Sequence, residues 1–165
     1  NIYIVSAQPE IVNNEMNWID RAKISDVDEM DLNNLMCQVL KKIESNNDFP
    51  DSLVYVNYEY ANRPTRIIDE LIFDAQYMGY DSVFPAYKDY NQMWLKNEGE
   101  EYKQFNVSIL PRSKRAPVYR ALYGLGCVTS AFLIRSGKLI GGKVGILSVN
   151  EWEHTFRDRA DRPEI

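Results

Sequence analysis

Residues 51–87 read DSLVYVNYEYANRPTRIIDELIFDAQYMGYDSVFPAY, and this stretch decides the fold. Ser52 to Val56 is a short apolar run with β-branched members, the composition of a buried strand. Residues 57–63 are polar and follow it as a turn. Pro64 fits the first position of a helix, where a missing N–H costs nothing. Ile67, Ile68, Leu71, Ile72, Ala75 and Met78 then fall on one stripe at helical spacing, and Gly79 is suited to the C-terminal cap. Residues 82–86 return as a strand, which completes one βαβ unit. In open α/β sheets the loops beyond the carboxyl ends of the strands build the ligand site. Residues 57–63 are therefore the first candidate for function.

The alternation continues on both sides of this unit. Ile2-Tyr3-Ile4-Val5-Ser6 is strand-like, and because the chain opens directly in it, further sequence is expected ahead of Asn1. Residues 10–17 fit a short helix, and residues 18–24 a connector or short strand. Ser25, Asp26, Asp28 and Asp31 can each cap the helix that follows, where Leu32, Leu35, Met36, Val39, Leu40 and Ile43 recur at helical spacing. A polar linker spans residues 44–50. Beyond the βαβ unit, Tyr87, Tyr90, Trp94 and Tyr102 mix with Lys88, Lys96, Glu98, Glu100 and Glu101, which reads as an arm or hairpin leaving the sheet. Residues 105–110 predict a strand, 117–123 a short helix, 127–134 an apolar strand, and 143–149 a last strand after a turn at 137–142. Trp152 and Phe156 anchor a charged tail. The pattern predicts one α/β domain over residues 1–165, its sheet mostly parallel, with a small antiparallel piece.

The bulk numbers exclude several classes. A chain of 165 residues is long enough for one domain with a real core. With 45% hydrophobic and 26% charged residues it has ordinary globular composition, and a net charge of −5 disfavours a nucleic-acid polymer as partner. Cys37 and Cys127 give neither a disulfide framework nor metal-ligand spacing and read as buried thiols. No apolar run approaches the roughly 20 residues of a membrane span, and no charged-then-apolar leader is present, so a cytoplasmic location is expected.

Motifs for familiar chemistries are missing. There is no Gly-x-Ser-x-Gly elbow, no phosphate loop of the Gly-x-x-x-x-Gly-Lys type and no Gly-x-Gly-x-x-Gly fingerprint. Gly124, Gly126, Gly141 and Gly142 read as turn residues, and the lone His154 as a surface side chain. Asp158 and Asp161 stand after the last strand, where a hard cation needs only one or two carboxylates if phosphates complete its shell. Asp158 either serves there or pairs with Arg157, Arg159 or Arg162. Arg63, Arg66, Arg112, Arg115 and Arg120 lie near the site-forming loops. Singly each fits a surface ion pair; as a set they point to an anionic ligand.

The order of these features resembles the acylneuraminate cytidylyltransferases, the CMP-sialic acid synthetases, over nearly the whole chain. Ile2-Tyr3-Ile4-Val5-Ser6 is similar to the family strand ending in Ser-Thr-Asp, and Arg21-Ala22-Lys23-Ile24-Ser25 with Asp28 to its Arg-Pro-x-Leu-Ser. Residues 51–63 fall on its Gln-Pro-Thr-Ser-Pro-Leu-Arg segment, residues 112–119 on its Arg-Gln-x-x-Pro…Tyr stretch, and Gly142-Lys143-Val144-Gly145 on its Lys-Ile-Gly strand. The resemblance implies a three-layer, mostly parallel Rossmann-like nucleotidyltransferase sheet whose nucleotide-holding loop precedes Asn1. It implies transfer of CMP from CTP to an acidic sugar such as N-acetylneuraminate, with pyrophosphate released and Mg²⁺ as cofactor. Asn57, Arg63, Arg112 and Tyr119 would bind substrate, Asp158 would hold the metal, and an arm at residues 88–118 would make a homodimer. An alternative is a catalytically impaired member serving as a sugar-binding or assembly subunit. Asn57-Tyr58-Glu59-Tyr60-Ala61 in place of Gln-Pro-Thr-Ser-Pro, and Phe156 in place of a carboxylate, favour that alternative.

Overall fold

The structure is a computed structural model that describes residues 1–8, 15–24, 31–105, 109–150 and 155–156. In chain order the strands are β1 (Tyr3–Ser6), β2 (Asn17–Asp20), β3 (Ser52–Tyr55), β4 (Tyr60–Asn62), β5 (Ser82–Asp89), β6 (Trp94–Lys96), β7 (Tyr102–Gln104), β8 (Val118–Ala121), β9 (Cys127–Ser130), β10 (Val144–Ser148) and β11 (Thr155–Phe156). The helices are α1 (Leu32–Ser45), α2 (Ile67–Met78) and α3 (Ala131–Arg135).

The protein is mixed α/β. Its main sheet runs β10-β5-β9-β3, with β8 also on β5. β10 is parallel to β5, whereas β9 is antiparallel to both β5 and β3, and β8 is antiparallel to β5. Thus β3, β5 and β10 point one way and β9 and β8 the other, and most pairings are antiparallel rather than parallel as the sequence pattern led one to expect. The reason lies in the connection. Ala86 pairs with Ala121 of β8, while Ser82 pairs with Thr129 of β9. Both lie on the edge of β5 opposite β10, so β8 and β9 form one returning strand broken by the bulge at residues 122–126. A strand that returns from a hairpin excursion needs no crossover helix and must run antiparallel.

Side chains of β5 alternate between two cores. Val83 and Tyr87 join Ile67 and Leu71 of α2, together with Leu125 and Val128, on one face. Phe84 and Ala86 join Met36 and Leu40 of α1, Ala131 and Ile134 of α3, and Cys127 on the other. Helices therefore cover both faces of the sheet. α1 is capped by the Asp31 side chain, which accepts from Asn34 N at 2.8 Å, and α2 ends at Gly79 with φ 62°. β1 and β2 pair in parallel as a separate ribbon that also packs on α1.

Three local expectations change. Residues 117–123 are not helical: Val118–Ala121 is β8, because this segment completes the ladder along β5, and a 3₁₀ turn follows at Tyr123–Leu125. The apolar run 127–134 is split into β9 and α3, since an uninterrupted apolar run has no period to separate strand from buried helix. α2 starts at Ile67 rather than at Pro64, whose carbonyl instead accepts from Ile67 N, with Arg66 left-handed at φ 68°. The excursion is present as the β6–β7 hairpin, with Trp94, Leu95 and Tyr102 exposed. Most of the helix expected at 10–17 and the middle of the strand expected at 105–110 lie outside the described residues. Among the described residues, no helix is long and apolar enough to cross a membrane.

Candidate functional site

The carboxyl ends of β3, β5 and β10 open on one rim, and the 122–126 bulge lies across it. Two groups of side chains stand there.

The first is built around Asn57, just past β3. Its N–H donates to Gly124 O at 2.8 Å, and its Oδ1 accepts from Glu59 N at 3.0 Å, the local bond that folds the turn. Its Nδ2 donates to Glu59 Oε2 at 3.3 Å. Gly124 has to be glycine for this approach: a Cβ there would stand 2.6 Å from the Tyr60 ring and 2.8 Å from Asn57 Cβ. Arg63 then reaches back, with Nε donating to Leu125 O at 2.7 Å and Nη2 to Asn57 O at 3.2 Å and Gly124 O at 3.5 Å. The guanidinium is a staple across the break: it supplies the donor for Leu125 O and a second donor for Asn57 O and Gly124 O, which also accept from Tyr60 N and Asn57 N. The turn also carries β4, paired antiparallel with β11.

The second group follows the end of β5. Asp89 is only 5% exposed, and its carboxylate accepts from Asn91 N at 2.8 Å and from Arg120 Nη2 at 3.0 Å. The Arg120 guanidinium also lies over the Tyr87 ring, 5.5 Å from its centroid, and its side chain is 57% exposed. One edge of this fork is thus held while the rest faces water. Further out, the Arg112 guanidinium lies 5.7 Å from the centroid of Tyr90, and these two with Ser113 line a depression of about 460 Å³. Arg115 is committed elsewhere, donating to the carbonyls of Leu110 and Tyr90. Tyr119 is an exposed residue of β8, opposite Lys88.

The structure therefore joins Asn57 to Arg63 and puts Arg112, before β8, in the other group, whereas Tyr119 alternates with Arg120 along β8 and turns to the opposite face of the sheet. Asp158 and His154 lie outside the described residues. Among the described residues no group of three His, Cys, Asp or Glu side chains is placed to hold a metal ion. Asp89 and Tyr87 are site residues absent from the sequence-based candidates, whereas Gly124 is the turn residue expected, in the 3₁₀ turn Tyr123–Leu125. A carboxylate at the carboxyl end of an apolar strand was the available signal for Asp89, but the strand was expected to end at Ala86.

Burial raises the phenols of Tyr55, Tyr60 and Tyr123 above the ordinary tyrosine value. Burial likewise pushes the Cys127 thiol up to about 11. At pH 8 only roughly one Cys127 in a thousand would be thiolate. A native-state titration with a thiol reagent at pH 8 is expected to modify Cys37, which is partly exposed, and to reach Cys127 only on unfolding. Equal reaction rates at the two sites would contradict this placement. The same shift is a linkage: the unfolded thiol ionises near 9 and the folded one near 11, so stability present below pH 9 falls as pH rises toward 11.

No protein-family model matches the chain, and no curated protein matches it.

Proposed function

We propose that the chain is cytidylyltransferase-like and transfers CMP from CTP to an acidic sugar such as N-acetylneuraminate, releasing pyrophosphate. The observation that supports it most is the second rim group, in which two arginines, Arg120 on Tyr87 and Arg112 on Tyr90, follow the end of β5. A guanidinium presents paired donors that match carboxylate and phosphate oxygens, and stacking on an aromatic ring holds it in one plane. In this reading Arg112 grips the sugar carboxylate and Arg120 keeps free donors toward a phosphate, while Tyr119, on the opposite face of β8 from Arg120, is proposed as a further substrate contact. The sugar hydroxyl oxygen attacks the α-phosphorus, the bond to the pyrophosphate oxygen breaks, and the hydroxyl proton leaves to solvent. Cations at the phosphates offset the charge that builds there. Mg²⁺ would add to that neutralisation, with Asp158 the residue proposed to hold it. The shared direction of β3, β5 and β10 is what this chain has in common with the Rossmann-like sheet the reading requires. The β6–β7 hairpin, with its exposed Trp94, Leu95 and Tyr102, is proposed as the homodimer contact.

A second reading is a sugar-binding or assembly subunit without turnover. It is favoured by the first rim group: Asn57 is engaged within its own turn and Arg63 is turned onto backbone carbonyls.

The test is to supply CTP, Mg²⁺ and N-acetylneuraminate and measure pyrophosphate. Release that depends on both nucleotide and sugar is expected, with Arg112→Ala lowering kcat/KM at least tenfold. Calorimetric binding of the sugar with no release across a panel of nucleotides and acidic sugars would replace the first reading by the second. Neither binding nor release would remove both.

A further inference from the structure

Among the described residues, one helix covers two sheets that share no ladder hydrogen bonds. Tyr3 and Val5 of β1, Ile19 of β2 and Leu53 of β3 all pack in a cluster with Val39 and Ile43 of α1. Each sheet ends beneath that helix in an unpaired strand edge. Ile2 O accepts from Asn17 N, so in the parallel register residues 2, 4 and 6 bond to β2, and Tyr3 and Val5 turn their N–H and C=O to the opposite side. Asp51 O accepts from Ala131 N, so residues 51, 53 and 55 face β9, and Ser52, Val54 and Val56 present theirs to the other edge. Among the described residues, no strand pairs with either edge.

The two edges are held at opposite sides of one gap. Tyr3 OH donates to Asp48 Oδ2 at 2.7 Å, and Asn1 Nδ2 to the same oxygen at 2.6 Å. Asp48 stands shortly before β3, so the start of β1 is tied to the approach to β3 and the two strands run in the same sense. The two strands share no ladder, so they stand more than one spacing of about 4.8 Å apart. Tyr3, Val5 and Leu53 nevertheless pack with the same Val39 and Ile43 of one helix, which is about 10–12 Å across, and that limits the gap to about one more strand.

Neither edge is guarded. Natural edge strands carry charges, prolines or bulges that block pairing. Tyr3-Ile4-Val5-Ser6 and Ser52-Leu53-Val54-Tyr55 have none of these, whereas β2 ends in Asp20 and runs into Arg21 and Lys23. The surroundings are apolar on both faces as well: Tyr3, Val5 and Leu53 lie toward α1, and Val54 and Val56 are left 38% and 48% exposed.

We propose that the gap between β1 and β3 receives one extended peptide strand from outside residues 1–165, uncharged and rich in β-branched residues. It runs in the same sense as both neighbours and joins the two sheets into one, the pairing mode of strand addition. Strands buried on both faces in this way read as continuous apolar runs. The chain's own tail does not fit that chemistry, since Arg157, Asp158, Arg159, Asp161 and Arg162 are charged. The inference is independent of the proposed activity.

The experiment is amide hydrogen exchange with and without saturating acetyl-Thr-Val-Thr-Val-Thr-Val-Thr-amide. The peptide is expected to slow exchange at least tenfold at open-edge amides on both strands, Val5 and Val54 among them. The same peptide with its three valines replaced by proline lacks those donors and is expected to leave the rates unchanged. The proposal is overturned by no slowing, by slowing on one strand only, or by edges already protected in the protein alone. Protection that instead rises with protein concentration would assign the gap to a second copy and overturn it too.

Discussion

Replacing Arg63 with methionine is expected to lower the unfolding free energy by about 2–3 kcal/mol. Hydrogen bonds from a charged donor contribute roughly 1.5–3 kcal/mol, and a half-buried acceptor left unpaired adds its desolvation cost. Arg63 serves the carbonyls of Asn57, Gly124 and Leu125, and methionine keeps the stem volume while removing every donor. Urea denaturation followed by circular dichroism reads the loss as a shifted midpoint with unchanged slope. Arg63→Lys should recover only part of it, because an ammonium cannot span carbonyls that a planar fork reaches together. The two roles of this residue separate cleanly. A staple costs stability first, whereas an arginine that only grips a ligand would leave the midpoint within about 0.5 kcal/mol of the parent and abolish binding. The second pattern would reverse the assignment made from the geometry.

Leu71→Ala is expected to cost more, about 3–4 kcal/mol, in the range for fully buried leucines. Leu71 has no exposed surface and sits among Ile67, Val83, Leu125 and Val128, where α2 meets β5, β9 and the bulge. Gly126 admits it: a Cβ at that glycine would lie 2.8 Å from Leu71 Cδ1. The Gly126 backbone and the side chains of Ile67, Val83, Leu125 and Val128 close the space, so the cavity left by alanine collapses only in part and the middle of the range applies. Phe73, on the outer side of the same helix and 59% exposed, is the control. Phe73→Ala should stay within about 0.5 kcal/mol. A Leu71→Ala loss below about 1 kcal/mol would mean that α2 is not docked where the structure puts it.

These two residues also show what could be read in advance. Leu71 was legible because a helix repeats its pattern locally: Ile67, Ile68, Leu71, Ile72 and Ala75 mark a buried stripe before any partner is known. α1 was legible for the same reason, with Asp31 as its cap. Arg63 was visible as a site candidate but its role was not, since two of its three acceptors, Leu125 O and Gly124 O, are 62 and 61 residues away. Nothing local distinguishes a guanidinium that will meet carbonyls from one that will meet a phosphate. The same holds for residues 117–134. Their strand, bulge, strand and helix depend on β5 as a template, and an apolar run without a period does not say which edge it will join. Asp89 belongs with these, because its burial comes from Arg120 and the returning strand rather than from its neighbours in sequence.

By itself, then, the sequence determined the α/β class, the two long helices, the β3–α2–β5 unit, the hairpin excursion and a turn after β3, though not that residues 60–62 of the expected turn form β4. All of these follow from periodicity, caps and turn residues acting over a few positions. Only the tertiary structure decided that β8 and β9 return along one edge of β5, that Arg63 closes the bulge while Arg112 and Arg120 stay on the rim, and that β1 and β3 face each other across an open gap. Strand neighbours and side-chain partners are chosen by contacts between distant segments, and the free energy that selects them is absent from any short window of sequence.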